Sequence, residues 1–195
     1  MSIEVFLPSL IEPSKFANLN DFVDYTYVIF ADTFNKQTIK FNEKYVLARP
    51  KILDCSNCAN KCNNLFTCST CPFKGKEDIF QHVCSDEDYN LKVLPGYKNI
   101  RTPGIFNKTR TSRVAWLKFM IENYDNADFV RYYNFPASKS NREINHYFWL
   151  YKAHYILILV EEKNSNKIYI RSCYDIKSDK DEKRHFNQYQ KYTKN

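Results

Sequence analysis

Glycine is nearly missing from this sequence, with three in 195 residues. Gly75, Gly96 and Gly104 stand too far apart for a glycine-rich phosphate loop or a dinucleotide-binding fingerprint. Both nucleotide-binding classes are therefore excluded, as are collagen-like and glycine-linker chains. No run of roughly 18 apolar residues occurs, so no transmembrane helix is predicted. The start, Met1-Ser2-Ile3-Glu4, lacks a basic stretch followed by an apolar one. No secretory signal is expected, which points to a cytoplasmic protein without a membrane partner. Also missing are the Gly-x-Ser-x-Gly nucleophile elbow and the His-x3-His and His-Glu-x2-His spacings of catalytic metal sites.

What is present is a chain 44% hydrophobic and 16% aromatic, enough for one packed domain over residues 1–195. Asparagine and lysine are abundant, so single residues of either type carry little signal. The net charge of +7 is concentrated. Between Lys92 and Lys118 there are seven basic residues and no Asp or Glu. A solvated face is one reading of that segment. A phosphate-binding surface is the other, with Lys92, Lys98, Arg101 and Lys108 as nucleic-acid contacts. Arg110 and Arg113 favour the second reading, because guanidinium suits bidentate phosphate contact.

Apolar spacing predicts a helix from Asn18 to about Asp32, capped by Asn18 or Asn20. Thr38–Phe41 and Tyr45–Ala48 read as short strands around an Asn42-Glu43 turn. A short helix is expected over Lys76–Cys84, then a long basic loop to residue 109. Thr111 to Tyr124 reads as a helix capped by Thr109 or Thr111, with Arg110 and Arg113 together at its N-terminal end, where a helix favours phosphate. Phe129–Tyr133 reads as a strand, and Tyr155–Val160 as a central strand buried on both faces. Lys167–Tyr174 alternates, which places Arg171 and Cys173 on the face opposite Ser172 unless a bulge intervenes. A charged helix over Lys180–Tyr192 closes the chain. The expected fold is α+β, with N-terminal helices packed on an antiparallel sheet and a cysteine-rich insertion over residues 52–74.

Five of the seven cysteines fall in that insertion, as Cys55-x2-Cys58-x3-Cys62-x5-Cys68-x2-Cys71. Two Cys-x2-Cys pairs match a tetrahedral structural zinc site. The ligand set is Cys55, Cys58, Cys68 and Cys71, with Cys62 spare or replacing one of the four. An iron–sulfur cluster uses the same four thiolates, and free thiols in a loop are the plain alternative. Cys84 and Cys173 read as small core residues.

Three blocks carry a resemblance. Gly75-Lys76-Glu77-Asp78-Ile79-Phe80-Gln81-His82-Val83 resembles the Gly-Lys-x-x-x-Phe-x-His-Ile motif of phage-barnase-like families. Arg110-Thr111-Ser112-Arg113-Val114-Ala115-Trp116-Leu117 resembles their Arg-x-x-Arg-x-x-Trp-Ile helix, continued by Ile121-Glu122-Asn123. Tyr155–Glu162 and Ile168–Tyr174 resemble their closing hairpin, with Ser172 where the family has Thr. These families belong to the barnase, EndoU, colicin and RelE nuclease superfamily. The resemblance covers roughly residues 20–192.

It implies a metal-independent endoribonuclease, phage- or toxin-like, that cleaves RNA by 2′-OH transphosphorylation. Such chemistry needs a base, an acid and cations around the phosphorane. His82 supplies acid–base chemistry, Arg110 and Arg113 clamp phosphate, and Ser172 and Tyr174 donate hydrogen bonds. The second acid is Tyr174 or His185. Two other readings stand beside this one. The same fold, catalytically silent, binds RNA or a host or antitoxin-like protein. Alternatively, a small zinc protein acts by protein–protein contact as an inhibitor or regulator.

Overall fold

The computed structural model describes residues 7–36, 38–53, 70–86, 105–137, 142–163 and 165–193. Helix α1 (Leu19–Phe34) starts at Asn18, whose side chain accepts a hydrogen bond from the Asp21 amide at 3.0 Å. Its apolar spacing buries Phe22, Val23, Phe30 and Phe34 along one side. Asn42 and Glu43 have φ of 49° and 61°, the paired left-handed conformation of a type I′ turn, and join β1 (Lys40–Phe41) to β2 (Lys44–Leu47).

Helix α2 (Asp78–Val83) follows Gly75, whose φ of 76° turns the chain into it. Two short strands, β3 (Ser85–Asp86) and β4 (Ile105–Phe106), pair antiparallel and flank residues 87–104, which lie outside the described residues. The helix expected from Thr111 begins earlier and is broken. Asn107, not a threonine, caps α3 (Lys108–Ser112) by accepting from the Arg110 amide at 3.0 Å. Tight i→i+3 bonds from Arg113 to Arg110 and from Trp116 to Arg113 separate α3 from α4 (Val114–Glu122). Arg113 therefore sits at a joint between two helices, and not beside Arg110 at an N-terminus.

Four longer strands complete the main sheet: β5 (Arg131–Pro136), β6 (Glu143–Leu150), β7 (Tyr155–Glu162) and β8 (Lys167–Asp175). Strand β6 has no counterpart in the sequence reading. The sheet order is β1-β2-β8-β7-β6-β5. It is mixed and not purely antiparallel, because β2 runs parallel to β8 with Val46 opposite Ile168. The long chain between those strands supplies the crossover that parallel pairing needs.

Helices α1, α2 and α4 pack on one sheet face over Phe148, Leu157, Leu159, Ile168 and Ile170. The opposite face also carries apolar side chains, Trp149, Ile156, Ile158 and Ile176. It needs its own cover, and the C-terminal helix α5 (Asp179–Tyr192), capped by Ser178, packs there against β5. The helices are thus not all N-terminal. Tyr155–Val160 is buried throughout because its two faces point into these two cores. Cys84 and Cys173 lie fully buried in the larger core. No helix among the described residues is long and apolar enough to cross a membrane.

Candidate active site

The last turn of α2 carries His82 out of a run whose neighbours Ile79, Phe80, Gln81 and Val83 are buried. Its Nε2 lies 3.0 Å from the Ser172 hydroxyl on β8. The register of β8 explains how Ser172 reaches that position. Ser172 pairs with Ile158 and Ile170 pairs with Leu159, which leaves Arg171 as the extra residue of a β-bulge. Ile168, Ile170 and Cys173 consequently all enter the helix-side core. Simple alternation over Lys167–Tyr174 had set Cys173 opposite Ile168 and Ile170. The bulge corrects that and lets Arg171 join Ser172 on the wall of one cavity of about 490 Å³.

His82, Arg110, Ser172 and Tyr174 all line this cavity. Ile158 and Ile176 add apolar surface, and α5 contributes Asp181 and Arg184. Arg110, Arg171, Lys177 and Arg184 face it against three carboxylates, Asp86, Asp175 and Asp181. The Arg110 guanidinium is 3% exposed. It donates to the backbone carbonyls of Ser85 and Cys173, to that of His82 at 3.2 Å, and to Asp86 at 3.3 Å. It therefore ties the His82 turn to β8. Burial raises the Asp86 carboxyl, but hydrogen bonds from Lys177 and Asn107, with the charges of Lys177 and Arg110, hold it below the ordinary carboxylate range.

Arg113 is not among the residues lining the cavity. It forms an ion pair with Asp175 and stacks on Trp116 and Tyr155. The structure thus brings four of the five sequence-derived catalytic candidates together and sets Arg113 behind Asp175. Lys108 is exposed on α3. Lys92, Lys98 and Arg101 lie outside the described residues, but both ends of their segment are fixed at the cavity rim. Asp86 pairs with Ile105, and Asn107 donates to the Asp86 carboxylate at 2.9 Å. Of the proposed zinc ligands, Cys71 is buried, and Cys55, Cys58 and Cys68 lie outside the described residues, as does Cys62. Among the described residues no cluster of His, Cys, Asp or Glu is arranged to hold a metal ion.

Arg171, Lys177 and Arg184 stand outside the sequence-derived site set. Their charge is plain in the sequence, but alternation alone does not locate the bulge, and nothing local gives the path of α5. The remaining histidines divide clearly. His146 is buried between Tyr132 and Glu161, which its ring nitrogens meet at 2.8 and 2.9 Å. His154 is exposed in a left-handed turn. His185 is buried behind Tyr174, 3.2 Å from its hydroxyl. No family model, curated protein or solved structure matches the chain.

Proposed function

We propose that the chain is a metal-independent endoribonuclease, phage- or toxin-like, of the barnase, EndoU, colicin and RelE type. The observation that carries this reading is the 3.0 Å contact of His82 with Ser172 on the wall of a cavity rich in cations. In this reading His82 takes the proton of the RNA 2′-hydroxyl while the 2′-oxygen forms its bond to phosphorus. The bond from phosphorus to the 5′-oxygen breaks, and Tyr174 gives that oxygen a proton. The products are a 2′,3′-cyclic phosphate and a 5′-hydroxyl, and solvent resets both side chains.

Tyr174 suits the acid's role better than His185. Burial and the nearby Tyr147 push its hydroxyl up to about 12, so it carries its proton at neutral pH. That hydroxyl is still more acidic than the alcohol it would protonate. His185 does not line the cavity. Ser172 and Tyr174 stand two residues apart on one strand, roughly 6–7 Å along it, a span that fits a phosphodiester between base and acid. Arg171, Lys177 and Arg184 would meet the charge that develops on phosphorus oxygens. Arg110 supports the site by holding His82, and Lys92, Lys98, Arg101 and Lys108 would follow the RNA backbone.

Cys55, Cys58, Cys68 and Cys71 hold a structural zinc in this reading, supported by their spacing and by the burial of Cys71. Metal analysis of the purified chain should find about one zinc per molecule. Iron in its place would mean an iron–sulfur cluster, and neither metal would refute the site.

A catalytically silent module that binds RNA or a host protein is the second reading. One observation favours it: Arg110 and Arg113 are occupied by carbonyls and Asp175. Incubation with RNA separates the two. The ribonuclease reading expects cleavage with no added metal and with a chelator present, ending in cyclic phosphate, and its loss in His82→Ala. RNA bound but left intact by the wild-type chain would select the silent module.

A further inference from the structure

Behind the cavity a buried chain of hydrogen bonds runs from β5 through α5 to β8. The Tyr133 hydroxyl lies 2.6 Å from His185 Nδ1, and the Tyr174 hydroxyl lies 3.2 Å from His185 Nε2. Tyr133 is 1% exposed and His185 is 2% exposed. The rings of Trp149, Tyr147 and Tyr174 surround the imidazole. Only Tyr174 of this trio reaches the cavity.

The direction of these bonds turns on which imidazole nitrogen carries the proton. Tyr133 has one hydroxyl proton and two acceptors within reach, His185 Nδ1 at 2.6 Å and Gln188 Oε1 at 3.4 Å. The shorter contact takes it. Nδ1 then accepts, so a neutral imidazole carries its proton on Nε2. Nε2 donates to the Tyr174 oxygen, and the Tyr174 proton is left to point elsewhere, toward the cavity. In the competing arrangement Nδ1–H donates to Tyr133, Tyr133 donates to Gln188 and Nε2 accepts, but the Gln188 contact is 3.4 Å and the Arg184 donor to Nε2 stands at 3.5 Å, both near the outer limit of such a bond. Two further facts keep the imidazole neutral. Burial disfavours the cation, and the Arg184 charge beside it outweighs the opposing Asp181, so the ring's affinity for a proton falls to about 4.

We propose that His185 is a positioning residue that turns the Tyr174 hydroxyl proton into the cavity, held in register by Tyr133. The inference rests on the ribonuclease reading for its catalytic consequence, and on the Tyr133–His185–Tyr174 geometry for the orientation itself.

The test uses the full chain labelled with nitrogen-15 in histidine, with the His185 signals assigned by their loss in His185→Gln. The expected result is a neutral ring at pH 6 with the proton on Nε2. A proton on Nδ1, or a charged ring at that pH, would overturn the orientation whether or not RNA is cleaved. The second arm is kinetic. His185→Leu is expected to lower kcat at least about tenfold with KM nearly unchanged. His185→Gln, whose amide nitrogen stands in for Nε2–H, should restore most of that loss. Equal kcat in His185→Leu and wild type would overturn the positioning role. Should His185→Leu fail to fold, Tyr133→Phe keeps the buried ring and removes the donor to Nδ1. It is expected to lower kcat and to release the tautomer, and unchanged values in both would count against the proposal. A wild-type chain that cleaves no RNA would defeat the ribonuclease reading, while the nitrogen spectrum would still decide the orientation.

Discussion

The His82 imidazole and the Ser172 hydroxyl lie 3.0 Å apart across 90 positions of sequence. The final turn of α2 presents one, and the strand just past a bulge presents the other. Arg110 fastens these two elements together by donating to carbonyls on both, those of His82 and Cys173.

That pairing makes the Ser172 hydroxyl testable by itself. Ser172→Ala removes the partner of His82 Nε2 and should lower kcat/KM about tenfold, one hydrogen bond's worth. Ser172→Thr keeps a hydroxyl at the same atom and should stay within about threefold. A quenched fluorescent RNA substrate reads both. Wild-type activity in the alanine variant would remove Ser172 from the mechanism.

Arg110 should act through stability. Its guanidinium is buried, and three backbone carbonyls and Asp86 depend on it. Arg110→Met takes a charged donor away from each of those carbonyls, while Asp86 keeps Asn107 and Lys177, at a cost on the order of 3–5 kcal/mol. Arg110→Lys should rescue little, since one ammonium cannot reproduce the fork. Denaturant unfolding measures the difference. An Arg110→Met chain as stable as wild type would show that the carbonyls find other donors.

Arg171 should behave in the opposite way. It is exposed at the bulge and lines the cavity, so Arg171→Ala should leave the fold intact. RNA affinity should fall several-fold, and the slope of log affinity against log salt should drop by about one. Binding titrations across a salt series give both numbers. An unchanged slope would mean that Arg171 does not meet phosphate.

Stability should fall as the solution is acidified through the histidine range. His185 binds its proton near 4 when folded, against about 6.5 when unfolded. Between those values the unfolded chain holds a proton that the folded chain does not, so acidification favours unfolding. The stabilisation is fully present above about pH 6.5, and on the order of 2–3 kcal/mol is lost by about pH 4. His146, also lowered by burial, adds in the same direction. His185→Gln should flatten the profile measured by urea unfolding from pH 7 to pH 4.5. An equally steep profile in that variant would assign the slope to other groups.

Much of the architecture was legible in the residues. Asn18 with its apolar run gave α1, the apolar block at Tyr155–Val160 gave β7, and the charged tail gave α5. Strand β6 is absent from the sequence-based expectation although Tyr147-Phe148-Trp149-Leu150 is a strong β signal. It is apolar on both faces, since Phe148 serves one core and Trp149 the other, so it lacks the alternation that marks a half-exposed strand.

What the sequence alone determined is the local chemistry: which stretches bury, which residues cap, and where cations and cysteines concentrate. The resemblance it carries also named His82, Arg110, Arg113, Ser172 and Tyr174 as one set. Tertiary structure decided what those residues can do. The break at Arg113 sent one arginine to Asp175 and left the other among carbonyls. The bulge at Arg171 put Ser172 and Arg171 on the same wall. The docking of α5 placed His185 behind Tyr174. Each of these depends on register and on the packing of elements distant in the chain. Neither leaves a trace in spacing along the sequence, because local periodicity fixes the face of an element but not its partner.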